Sequence, residues 1–123
     1  MGLRSSFCLI LWLTQFLTIV GTARWHRFGL YHGVEHGGKG YYRVGALLLD
    51  LENPLRVIGR TRNYILEPEM DCEINGSYKG CVFPTGNVIV DNTLYVYYGA
   101  ADKYVCMATC DVKELIQYIK KGE

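Results

Sequence analysis

From position 27 onward the chain is built of short apolar runs cut by turn residues, and most runs alternate with a period of two. RFGLYHGV (27–34) reads as a strand running into a turn, and EHGGKG (35–40) as a glycine-rich hairpin tip with nothing apolar to bury. YYRVGALLLD (41–50) predicts a second strand, and Asn53-Pro54 a turn. RVIGRT (56–61) predicts a short third strand. YILEPEMDCEINGSYKG (64–80) carries the breakers Pro68, Asn75 and Gly76 and is expected to be loop. CVFPTGNVIVD (81–91) is expected to hold a strand on each side of Pro84, because proline cannot donate to a central ladder. A turn at DNT (91–93) leads into LYVYYGA (94–100), and YVCMATC (104–110) follows.

The period then changes. In DVKELIQYIKKG (111–122) the apolar positions are Val112, Leu115, Ile116 and Ile119, the spacing of one helix face. Asp111 is placed to cap this helix, with Glu114 three residues on, and Lys120, Lys121 and Gly122 suit its C-terminus. The expected fold class is therefore mainly all-β: successive antiparallel hairpins, with a short C-terminal helix. Short strands at regular spacing leave sandwich, barrel and propeller open.

The first stretch stands apart. MGLRSSFCLILWLTQFLTIVGTA (1–23) has a basic residue at Arg4, an apolar run from Phe7 to Val20, and small residues at Gly21 and Ala23. That is the layout of a secretory signal peptide with cleavage after Ala23. Thr14, Gln15 and Thr18 interrupt the run, which is short for a bilayer span of about 20 apolar residues. The alternative is a translated edge of a mis-started reading frame, and the pattern does not choose. Residues 1–23 are thus taken as a leader and residues 24–123 as the folded segment. The protein is expected to be secreted or membrane-anchored if the leader is genuine, and cytoplasmic if it is not.

Composition narrows the function classes. The 123 residues suit one domain, and a net charge of +1 with no basic block gives no footprint for nucleic acid. Of the cysteines, Cys8 lies in the leader, leaving Cys72, Cys81, Cys106 and Cys110, which allow three pairings in a secreted protein. Cys106 and Cys110 share a strand face. There is no C-x-x-C and no zinc-like Cys/His spacing, so no metal is expected, and free cysteines used as small apolar residues are the simpler reading. Asn75-Gly76-Ser77 is a glycosylation sequon that matters only outside the cell.

One combination is more specific than any part: YHGV (31–34), YRVGALLLDLENPLRVIGRT (42–61), ILEPE (65–69), VFPTGNVIV (82–90) and LYVYYGAAD (94–102). In order and spacing it resembles the C-terminal part of the family 130 glycoside phosphorylases and hydrolases, over roughly residues 30–118. The resemblance implies a partial five-bladed β-propeller, about two blades, with the active site at the central channel. It implies inverting phosphorolysis of β-1,4-mannosides to α-mannose 1-phosphate, or hydrolysis with water replacing phosphate. The partners are then a β-mannoside oligosaccharide and inorganic phosphate as co-substrate, with no organic cofactor.

Residue by residue, His32 matches the phosphate-binding histidine of the family's YHG motif. An imidazole N–H can donate to a phosphate oxygen, and the reading without the family is a histidine satisfied in a β-turn. Tyr41 and Tyr42 stand where the family has aromatic residues near the channel; alternation lets only one face it, and Tyr41 is taken as that residue. Phe83 stands where an inner strand faces the sugar, with core packing as its alternative role. Asp102 matches the aspartate that accepts hydrogen bonds from sugar hydroxyls, beside the small residues Gly99, Ala100 and Ala101. No catalytic residue is expected here, because the family's general-acid aspartate and phosphate-clamping arginines lie in upstream blades. Lys79 and Gly80 also stand where the family has an Asn-containing segment. The chain alone is thus expected to be catalytically incomplete and to self-associate through exposed blade edges. A secreted, non-catalytic carbohydrate-binding β-domain is the alternative.

Overall fold

The computed structural model describes residues 18–23, 26–34 and 38–121. Two antiparallel sheets follow one another along the chain. β1 (Thr18–Ala23), β2 (His26–Val34), β3 (Tyr42–Leu49) and β4 (Val57–Arg60) form the first, in that order. A single helical turn, α1 (Asp71–Ile74), precedes β5 (Val82–Val90), β6 (Thr93–Ala100) and β7 (Tyr104–Asp111) of the second. The chain closes on helix α2 (Val112–Lys121). Each sheet is a meander, so neighbours in sequence are neighbours in space, as successive hairpins require.

Side-chain parity decides the core. Phe28 and Leu30 of β2 sit on the face that Val44, Ala46 and Leu48 of β3 also present, through the pairs Phe28 with Leu48 and Leu30 with Ala46. Against them pack Val82, Leu94, Val96, Tyr98 and Ala100 of the second sheet, with Val112, Leu115 and Ile119 of α2. The opposite face of the first sheet holds a small cluster of Tyr31, Leu47 and Leu49. There Tyr31 lies over its cross-strand partner Gly45: a Cβ on Gly45 would sit 2.5 Å from Tyr31 Cζ.

The ends of the elements obey the local chemistry. The Glu114 N–H donates to Asp111 Oδ1 at 3.0 Å, which is the expected helix cap. The β5–β6 hairpin turns at Asp91 and Asn92, with Asp91 at φ 58°. Asp50 accepts from the Glu52 and Asn53 N–H groups, which closes the Asn53-Pro54 turn and holds its carboxyl below the usual range.

Two expectations need correcting. Pro84 does not divide its segment: β5 runs unbroken from Val82 to Val90. It is an edge strand of its sheet, and the ladder shifts register between Pro84 and Gly86. A bulge on an edge strand is where a residue without an N–H fits. The 64–80 segment is also not all loop, since Asp71–Ile74 forms a helical turn. The leader falls mostly outside the described residues, but its last six, Thr18–Ala23, pair antiparallel with β2 as β1. The glycine-rich tip at 35–37 lies outside the described residues.

Candidate functional site

His32 lies mid-strand in β2 rather than in a turn, and its parity turns it inward; it is only 3% exposed. Burial lowers its pKa below the ordinary histidine value, so the imidazole is neutral near pH 7. Phe83, the second residue of β5, places its ring centroid 4.0 Å from that of the imidazole. Tyr42, opposite Val34 and one diagonal step from His32, lies 5.8 Å from the imidazole and 6.3 Å from Phe83. A histidine of the first sheet is therefore held between aromatic rings from both sheets.

The two sheets are stitched together at this place. The Tyr42 N–H donates to Gly80 O at 2.9 Å, and Tyr42 forms a parallel bridge with Cys81. Tyr78 completes the seam: its ring meets Tyr42 edge-on at 5.1 Å, its hydroxyl donates to Gly40 O at 2.7 Å, and its N–H donates to Ala101 O at 2.9 Å. One residue thus ties the β2–β3 loop to the β6–β7 turn. Nothing in its local sequence marks Tyr78, because its role depends on three elements remote in the chain.

The β6–β7 turn carries Asp102. Ala101 and Asp102 have φ of 52° and 56°, and the Lys103 N–H donates to Ala100 O at 3.1 Å, the geometry of a type I′ hairpin turn. Asp102 is exposed at the tip, while Ala101 beneath it is buried. The Ala101 N–H donates to Cys81 O, which brings the turn against the start of β5. Burial, and then the Asp102 charge, push the Cys81 thiol up to about 11. The carboxylate is therefore electrostatically close to the strand that bears Phe83.

Of the four residues singled out from the sequence, His32 and Phe83 are in ring contact. Asp102 stands on the turn beside their seam. Tyr41 points the other way from Tyr42, as alternation demands. Its ring covers Gly80, where φ is +80° and a Cβ would strike the ring. Lys39 and Arg43 both lie 5.5 Å from its centroid. It is Tyr42 that meets His32, because Val44, Ala46 and Leu48 set the inward parity of β3.

A carboxylate missed by the sequence reading supports the seam from below. Glu73, 3% exposed, accepts from the Glu69 and Met70 N–H groups at 3.0 and 2.9 Å and from the Tyr98 hydroxyl at 2.5 Å. Burial alone would raise its pKa; the Tyr98 bond and the two backbone bonds outweigh that and lower it. Burial first, and then the same pairing, drives the Tyr98 phenol upward. The one-residue signal was Glu73 at the third position of a short helical turn, half of a capping box.

An apolar groove of about 390 Å³ opens between Leu30, Val44, Leu66, Leu94, Leu115 and Tyr118, but His32, Tyr42 and Phe83 do not line it. Among the described residues no cluster of His, Cys, Asp or Glu could hold a metal, and no helix is long and apolar enough to cross a membrane.

Known proteins resemble this chain in sequence and fold. The family model described as beta-1,4-mannooligosaccharide phosphorylase matches residues 22–121. A beta-1,2-mannobiose phosphorylase of Thermoanaerobacter sp. is 46% identical over 89 residues, covering 72% of this chain and 28% of that protein. A beta-1,4-mannooligosaccharide phosphorylase of Ruminococcus albus is 33% identical over 93 residues, 73% of this chain and 28% of that protein. The solved beta-1,2-mannobiose phosphorylase of Listeria innocua, in complex with beta-1,2-mannobiose, superposes with a TM-score of 0.78 at 33% identity. That match covers 85% of this chain and 29% of the solved one. The chain spans less than a third of the length of the curated relatives it matches. With a family match across nearly all its described residues and the same fold, the chain belongs to glycoside hydrolase family 130, the mannoside phosphorylases.

Proposed function

We propose that this chain supplies one wall of a β-mannoside phosphorylase site. Its two sheets are read as about two blades of a propeller whose other blades complete the channel. The observation that carries the reading is the His32 imidazole, buried, neutral and clasped by Phe83 and Tyr42 where the two sheets meet. A neutral imidazole held by rings presents an N–H in a fixed direction, which suits a phosphate oxygen. Phe83 and Tyr42, which lie with His32, offer ring faces to a sugar in place of Tyr41, and the exposed Asp102 carboxylate can accept from two hydroxyls at once. Ala101 below it is small enough to leave room for the ring.

The linkage is the finer question. The resemblance pointed to β-1,4-mannosides. The relatives include enzymes named for beta-1,2-mannobiose and 1,2-beta-oligomannan as well as one for beta-1,4-mannooligosaccharide, so β-1,2 substrates are the competing class. Hydrolysis is a second reading, favoured by a solved relative described among the family's glycoside hydrolases that target beta-1,2 mannosidic linkages. Phosphate dependence separates the two.

The general acid is assigned to blades beyond this chain, so the chain alone is expected to release no mannose 1-phosphate. Exposed apolar residues on the edge strand β7, above all Val105 at 82% exposure, favour self-association of the isolated chain. The test is a chimera. Residues 22–121 replace the corresponding third of the Listeria enzyme, and phosphate-dependent release of mannose 1-phosphate is measured on β-1,2- and β-1,4-mannobiose. Activity that falls at least about 100-fold with His32→Ala or Asp102→Ala supports the assignment, a loss of the size expected for a removed charge-assisted contact. A folded chimera whose activity ignores both substitutions would refute it.

A further inference from the structure

The described chain holds four cysteines, all as free thiols: Cys72 and Cys106 half-buried, Cys81 buried and Cys110 exposed. The Cys72 and Cys106 sulfurs lie 3.7 Å apart although 34 positions separate them. We propose that Cys72 and Cys106 form a redox modification site. A low-molecular-weight disulfide, such as oxidised glutathione, converts them to an intramolecular disulfide that pins α1 to β7.

The geometry singles out this pair. A disulfide needs sulfurs about 2.05 Å apart, so they must approach by roughly 1.7 Å, within reach of small side-chain rotations. Cys110 cannot replace Cys72 as partner of Cys106: four residues along one strand separate them by about 13 Å. Cys81 is buried at the start of β5, where burial and the Asp102 charge hold its thiol up at about 11. Both members of the proposed pair keep part of their surface in solvent, so a small oxidant can reach them.

The step balances as two exchanges. The Cys72 thiolate attacks one sulfur of oxidised glutathione; an S–S bond forms to Cys72 and one glutathione thiolate leaves. The Cys106 thiolate then attacks Cys72 Sγ, and the second glutathione thiolate leaves. The two protein thiols lose two electrons and two protons, which convert one oxidised glutathione into two reduced molecules. Burial pushes the Cys106 thiol up, followed by its hydrogen bond to Cys72 and by the Cys72 and Glu73 charges. Capping Cys72 removes its thiolate charge, so Cys106 is suited to enter second.

The bond would fix a working part of the fold. Cys72 belongs to the segment that also carries Glu73, Tyr78 and Gly80, and Cys106 pairs across the ladder with Tyr98, the partner of Glu73. Closing the loop from α1 to β7 would therefore hold the polypeptide that joins the two sheets beside His32.

The test uses the full chain with Cys110→Ser, because Cys106 and Cys110 otherwise fall on one tryptic peptide (residues 104–113). The protein is equilibrated in glutathione buffers from reducing to oxidising, free thiols are alkylated, and tryptic peptides are mapped by mass spectrometry without reduction. The expected result is peptide 63–79 linked to peptide 104–113, and a melting temperature roughly 10 °C higher in the oxidised form. Reduction with dithiothreitol should restore both thiols, and Cys72→Ser should abolish link and shift together. Four outcomes would overturn the proposal: thiols still free in the most oxidising buffer, a glutathione adduct that never resolves, a link through Cys8 or Cys81, or a linked pair with an unchanged melting temperature.

Discussion

Replacing Tyr98 by phenylalanine should test the buried bond beneath the seam with little change in packing. The ring stays in the core, and only the hydroxyl that donates to Glu73 Oε2 at 2.5 Å is lost. Glu73 and Tyr98 are 3% and 4% exposed, so water does not readily replace that donor. A hydrogen bond to a charged group contributes about 1.5–3 kcal/mol, and that is the loss expected near pH 7. The pH dependence gives a second check. The folded pKa of Glu73 is depressed, so its contribution is present above the unfolded carboxyl value of 4.5 and is lost as pH falls through the folded value. Once Glu73 is protonated, the Tyr98 bond joins two neutral groups and is worth about 0.5–1.5 kcal/mol. The difference between wild type and Tyr98→Phe should therefore shrink on acidification. Urea unfolding followed by circular dichroism, at about pH 7 and then in steps downward through the carboxylate range, measures both numbers. A double-mutant cycle with Glu73→Gln should return a coupling of at least about 1 kcal/mol. A cost under about 0.5 kcal/mol near neutrality, or one that stays constant as pH falls to the lowest value at which the fold persists, would refute the reasoning.

Further outcomes follow from other contacts. His32 has a folded pKa lowered by burial, so below about pH 6.5 the unfolded chain takes a proton that the folded chain resists. Stability should fall as pH drops through that window, and His32→Phe should flatten this part of the urea-midpoint profile. Gly45→Ala would drive a methyl into the Tyr31 ring and should cost about 1–3 kcal/mol in urea unfolding, whereas Gly86→Ala, where a Cβ meets nothing, should cost far less. Gly80→Ala must bear both a φ of +80° and a clash with Tyr41, and should destabilise by at least about 1 kcal/mol. A chain starting at Arg24 lacks β1 and leaves β2 as an open edge; light scattering should show more self-association than for the full chain.

The sequence by itself determined the parts of this protein that depend on neighbours in the chain. Alternation is legible in β2, β3, β6 and β7, and the change of period at Asp111 marked α2 together with its cap. His32, Phe83 and Asp102 were named from motifs that keep local order. Contacts between sheets decided the rest. Which of Tyr41 and Tyr42 meets His32 depends on the parity that Val44, Ala46 and Leu48 impose by burying against the second sheet. Pro84 sits inside a strand because that strand is an edge and bulges there, and edge status belongs to the sheet. Glu73, Tyr78 and the Cys72–Cys106 contact join residues 25 to 38 positions apart, beyond the reach of any local pattern. Local propensity and period act over a few residues, whereas the site's surroundings exist only once two sheets have packed and the buried Glu73 has met the Tyr98 hydroxyl.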